Sequence, residues 1–218
     1  METETNGLSR ITSWNAPETR DAQRLRTVTL CLTVACAVAV TGHARTTTGP
    51  AAEVAGRRVA LERTVGGARF RLHGTAVLKK GWVFSVYAAA LYLGAGAQPG
   101  RVLEDVPKRL EIYYLHRTPK RHMIATAERT LKQNLKPGEL AALQPSIDRL
   151  HAAYEDGRKG GTATLTYTPG TGTVFAIDGR EKVRIPGASF AAAYFGVWLG
   201  ATPSSESVKR QLLTKWRK

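Results

Sequence analysis

Cysteine is nearly absent from this 218-residue chain. Cys31 and Cys36 are the only two, and both sit in one apolar N-terminal stretch. They cannot make a disulfide framework or a cysteine-based zinc site. The five histidines are isolated, with no HExxH motif and no pair at ligand spacing, so no metal site is expected. No cofactor is expected. Repeats and low-complexity tracts are also missing.

Acidic residues are few. Seventeen Asp and Glu face 32 Lys and Arg, for a formal net charge of +15. In residues 1–44, Arg10, Arg20, Arg24 and Arg26 are cancelled by Glu2, Glu4, Glu18 and Asp21, so the excess lies beyond them. The bases are scattered among acids. There is no long basic run and no basic-aromatic RNA-recognition signature, which argues against a nucleic-acid site. The charge suits anionic partners, either carboxylates or an anionic membrane surface.

No apolar run reaches the roughly 20 residues of a comfortable transmembrane helix. The longest N-terminal one, residues 28–40, follows Arg24 and Arg26 and precedes Gly42 and Ala44, small residues at the positions a signal peptidase reads. Residues 1–44 therefore read as a secretory signal, with an uncleaved N-terminal anchor as the competitor. A lipoprotein signal at Cys36 ranks lower, because Thr33 replaces the usual leading aliphatic residue. The body is expected to be periplasmic or secreted. Residues 45–56, small, polar and Pro-containing, read as a linker, and residues 57–214 as one domain.

The domain is organised around residues 82–93. This run opens on Trp82, Val83 and Phe84, which favour a pleated sheet, and holds Ala88, Ala89 and Ala90 at its middle. Gly81 and Gly94 punctuate it. It reads as a strand covered on both faces, its alanines leaving room for a helix or a ligand. Around it, residues 59–65 and 69–73 read as strands joined at Gly66-Gly67, and 74–81 as strand and turn. A short helix is expected over 98–105 and a half-exposed strand over 108–117. Helices are expected from Thr118, as cap, to about Leu135, and from Pro137 onward with a break near Pro145. A threonine-rich strand covers 161–168, and a meander through Asp178-Gly179 ends near Ile185. An apolar helix over 189–199 and an amphipathic one over 204–213 follow. Together these predict an α+β fold, an antiparallel sheet with a helical layer on one face.

In this order and spacing the chain resembles the chalcone isomerase-like proteins, specifically their bacterial exported branch. Residues 72–79 around Gly74, residues 86–93, the hairpin through Gly172 and Asp178-Gly179, and Phe190 to Gly200 followed by Leu212-Leu213 carry the match. The resemblance implies an open-faced β-sandwich with a ligand cleft between sheet and helices. In the true isomerases, which close a chalcone to a flavanone by intramolecular addition, an arginine and Thr and Tyr hydroxyls act electrostatically. Here the arginine position falls on Leu78 or Lys79, the threonine on Tyr87 and the helix-start tyrosine on His122. The constellation is not reproduced, so no catalytic residue is assigned, and intramolecular lyase activity on a phenolic substrate is the alternative function.

The resemblance implies instead a small apolar acid such as a fatty acid, held by Lys79, Tyr87, Tyr114 and His122. Each has a structural reading beside this one. Tyr87 is also a plausible core tyrosine, Lys79 with Lys80 a solvated strand end, and His122 an exposed first-turn residue. Tyr113 and Tyr114 put one ring on each face of their strand, so only one can line the cleft. A structural envelope protein with a collapsed cleft is the third alternative.

Overall fold

The computed structural model describes residues 50–81 and 84–217. The leader and anchor readings of residues 1–44, Cys31 and Cys36, and the opening Trp82 and Val83 of the central run lie outside them. No described helix is long and apolar enough to cross a membrane.

The first departure from expectation comes immediately. Part of the linker is structured: strand β1 (Ala51–Val54) pairs antiparallel with β2 (Arg57–Ala60). Ala52, Val54 and Val59 are buried, so the small residues of this segment pack rather than solvate. The strand expected over 59–65 is accordingly two strands. It breaks at Leu61, whose carbonyl accepts from Leu72 N–H, and β3 (Glu62–Val65) then joins the main sheet.

That sheet has seven antiparallel strands in simple chain order: β3, β4 (Ala68–Lys80), β5 (Phe84–Gly94), β6 (Lys108–Tyr114), β7 (Thr162–Thr168), β8 (Gly172–Ile177) and β9 (Arg180–Ile185). The Gly66-Gly67 and Asp178-Gly179 turns have positive φ at both central residues, as the two-residue hairpins they close require. Helices α1 (Lys120–Asn134) and α2 (Pro137–Ala152) interrupt the meander between β6 and β7. Helices α3 (Ala188–Leu199) and α4 (Glu206–Leu213) follow β9.

Side-chain alternation along β5 divides the core in two. Ala89, Leu91 and Leu93 pack with residues of all four helices, among them Leu131, Leu150, Phe195 and Leu212. Ala88, Ala90 and Tyr92 pack with Ala52, Val54 and Val59 of the β1–β2 hairpin. The central strand is thus covered on both faces, as its composition predicts. The strand expected to be half exposed, β6, is buried along most of its length, because the same hairpin lies over its second face.

Three local expectations also give way. Residues 98–105 hold only one turn of 3-10 helix, Pro99–Arg101. Thr118 does not cap α1. It forms a two-hydrogen-bond bridge with Gly157, and the N–H of Lys120 donates instead to Asp156 Oδ1 at 3.0 Å. Pro145 does not break α2, which runs through it. Pro145 and Ala141 are both exposed, so the carbonyl that proline leaves without a donor faces water.

Beyond β3, the outer edge of β4 is closed by the C-terminal segment. Trp216 N–H donates to His73 O, and the Gln211 side chain accepts from Val77 N–H. Gly74 permits this approach, since a Cβ there would lie 2.1 Å from the Leu212 carbonyl oxygen. A free strand edge is thereby covered.

Candidate functional site

A pocket of about 600 Å³ opens between the helix-covered face of the sheet and helices α1 and α3. Its position follows from side-chain size and strand register. Leu78, Tyr87 and Tyr114 form a row across β4, β5 and β6, because Leu78 pairs with Tyr87 and Tyr87 with Tyr114. Met123, Thr126 and Ala127 of α1 face this row, and the small Ala127 keeps the helix from filling the space. Further in, the walls are apolar: Leu110, Leu165, Phe175 and Val197.

All four residues singled out from the sequence line this pocket. Lys79 and His122 are exposed and stand at its opening, Tyr87 is half-buried, and Tyr114 is buried. Tyr113 points to the opposite face, so one ring of the pair lines the cleft, as alternation requires. The alanine floor is not found. Ala88, Ala89 and Ala90 do not line the pocket; their small side chains are sealed into the two cores. Ala127 and Ala163 provide the room instead.

The polar groups within are phenols and hydroxyls. Burial pushes the Tyr87 phenol up to about 12, with the Trp198 indole pulling the other way. Burial also raises Tyr154 to about 12 and holds Tyr114 well above its usual range. At neutral pH these are uncharged O–H donors. Tyr154 is already engaged, with its hydroxyl 2.7 Å from that of Tyr194, which meets His151 Nε2 at 3.1 Å. Tyr114 is different. Its hydroxyl reaches only the thioether of Met123, at 3.1 Å. Sulfur is a weak acceptor, so this buried O–H can be drawn to an oxygen of a bound molecule.

Charge is arranged in one sense. Lys79, Lys80, His122 and Arg129 are the titratable bases that line the pocket, and all are exposed. No Asp or Glu is among the described lining residues. The arrangement can hold an anionic head at the opening and an apolar body inside. It offers no carboxylate to act as general base. Arg129 was not foreseen; it lies two helical turns beyond His122, a spacing that puts both on one face of α1. Among the described residues no cluster could hold a metal ion.

A family model described as chalcone isomerase-like matches residues 51–214. This chain belongs to the chalcone isomerase-like family. The match begins at β1, so the family domain includes the strand that composition assigns to a linker. Among solved structures, the chain is similar to a fatty-acid binding protein of Arabidopsis thaliana. The identity is 16%, the TM-score 0.57, and the alignment covers 75% of this chain and 96% of the plant protein. At that identity the likeness establishes the fold. Comparison with curated protein sequences finds no match.

Leu78 and Lys79, the two positions that counting along the strand suggests for the isomerase arginine, both line the pocket. Neither presents a guanidinium fork, and Lys79 is a flexible point charge at an exposed strand end.

Proposed function

We propose that this protein binds a small apolar acid, a fatty acid in the first instance, without transforming it. The observation that carries this is the polarity of the pocket: apolar walls within, neutral phenols midway, and cations only at the opening. A carboxylate fits between Lys79 and His122 with Tyr114 O–H as a neutral donor, while the chain lies against Leu110, Leu165 and Phe175. The solved relative named as a fatty-acid binding protein supports this choice of ligand. Phenolic acids share the same chemistry and form the second ligand class.

Residues 1–44 carry the features of an export signal or anchor, which suits an exported, bacterial member of the family. We place the body in the periplasm or outside the cell, with the folded domain starting at β1.

Mass spectrometry of solvent extracts from natively purified protein tests the binding. A fatty acid at near one equivalent is expected, and an extract with no amphiphile would overturn the proposal. Incubation with a chalcone tests the alternative lyase. No flavanone above the uncatalysed rate is expected, because every base among the described lining residues is exposed and none is buried beside the reacting atoms to stabilise the shifting negative charge. Detection of the processed chain outside the cytoplasm tests the location.

A further inference from the structure

We propose that the rim of this pocket is also a docking surface for an anionic phospholipid bilayer, built from the end of β4 (Lys79, Lys80), the start of β5 (Phe84) and the start of α1. The inference rests on the fatty-acid reading of the pocket and adds the source from which that ligand is exchanged.

Among the described residues, Phe84 is the exposed large hydrophobic side chain, at 48% of its full accessibility. It stands opposite Lys80 at the hairpin tip and stacks on His116, with ring centroids 4.2 Å apart. Lys79 and Lys80 precede it on the hairpin. Arg117, Lys120 and Arg121, all exposed, follow His116 into the first turn of α1. The two acids of the neighbouring loop are engaged. Asp156 is held by Arg117 at 2.9 Å and by the Lys120 N–H, and Glu155 by Lys182 at 2.6 Å.

An exposed aromatic ring ringed by bases is the composition that settles at a headgroup interface, the ring at the acyl boundary and the cations on lipid phosphates. Among the described residues the patch offers one ring with long, flexible bases, which gives little of the packed apolar core that a protein partner requires. The same surface carries the opening, since Lys79, Lys80, Thr118 and His122 line the pocket. Docked this way, the pocket faces the bilayer, and an acyl chain can pass between them with little exposure to water.

The test uses the full chain and vesicles of phosphatidylcholine, alone or with one quarter phosphatidylglycerol. Phe84, Lys120 and Arg121 do not line the pocket, so their variants should bind a fluorescent fatty acid in solution as the wild type does. The Lys120→Gln/Arg121→Gln pair should weaken association with the anionic vesicles roughly twenty-five-fold, about fivefold per base removed. High salt should do the same. Phe84→Ser should slow transfer of the fluorescent acid to the vesicles several-fold, while Phe84→Trp preserves it.

Equal binding to neutral vesicles would overturn the docking surface, as would an unchanged affinity in the double variant, or association that requires an acidic protein in place of lipid. Either of the first two outcomes would trace vesicle binding to the apolar stretch at 28–40, and the third would make the surface a protein interface. If Phe84→Ser fails to fold, the two exposed helix positions decide alone. Failure of the wild type to take up the fatty acid at all would sink the pocket's function, separately from the vesicle result.

Discussion

The two faces of the central sheet bury polar groups in opposite ways. In the pocket of the helical face, charge is kept at the opening and the interior holds neutral phenols around empty space, while the buried Lys108 lies outside the pocket with its Nζ donating to the Glu104 and Val106 carbonyls. On the hairpin face there is a full carboxylate and little space. Glu111, 2% exposed, accepts from Arg63 Nε at 2.8 Å and Nη2 at 3.0 Å, from Arg109 Nε at 2.8 Å, and from the Tyr113 hydroxyl. Arg63 also lies over the Tyr92 ring and Arg57 over that of Tyr113. A buried charge satisfied on every side has nothing left to offer a ligand. A buried hydroxyl with only a sulfur partner does. The hairpin face is therefore the fixed side of the molecule and the helical face the side with an unfilled role.

The largest expected effect breaks the fixed side. Burial alone would raise the Glu111 carboxyl, but its hydrogen bond to Arg63, the Arg109 charge and the Tyr113 hydroxyl together hold it below its usual value. Removing the carboxylate by Glu111→Leu leaves Arg63 and Arg109 facing each other, and a loss of about 3–5 kcal/mol is expected in urea denaturation. The lowered value also sets a sign. The stabilisation is present above the unfolded-state value near 4.5 and lost as pH falls through the folded one. Wild-type stability should therefore decline below about pH 4.5, and the decline should be shallower in Glu111→Leu. A Glu111→Leu protein as stable as the wild type would make the two faces equivalent.

Adding atoms to a filled and to an unfilled place sharpens the contrast. Gly74→Ala meets the backbone of the α4 terminus and should cost roughly 1–3 kcal/mol, or detach α4 from β4. Ala163→Phe adds far more volume, yet into the pocket, so its stability should change by less than about 1.5 kcal/mol while the extractable fatty acid disappears. If Ala163→Phe is the more disruptive of the two in thermal melts, the pocket is not open space in solution.

How much of this was legible follows the range of each interaction. The apolar run of β5, the alternation in β6, the Asp178-Gly179 turn and the tyrosine pair are local patterns, and the strands they predict are found, but the second face of β6 is buried where exposure was expected, because its cover comes from the distant β1–β2 hairpin. The roles of residues 51–56 and of Asp156 were not legible. A short run of small residues becomes a strand only because Ala88 and Ala90, over thirty residues away, offer it a seat. Asp156 caps a helix that begins far upstream of it. The alanine floor failed for a related reason: composition shows that a surface is small-sided, but not which neighbour takes up the room. Lys79, Tyr87 and His122 were found through the family's spacing, and Tyr114 through strand alternation in the tyrosine pair. Arg129 was equally available from helical periodicity once His122 was on the list of rim bases.

The smallest effect bears on whether the pocket opening contributes anything specific. Lys79 is exposed, so its attraction for a carboxylate is screened by water and salt and is worth at most about 1 kcal/mol. Lys79→Ala should therefore weaken fatty-acid retention by no more than about fivefold, and salt should weaken the wild type but hardly the variant. Tyr114→Phe, which removes the buried donor and leaves the ring, should cost at least as much because its O–H acts out of water. An acid retained equally by all three proteins would mean that the pocket selects its ligand by apolar shape alone, with head-group chemistry playing no part.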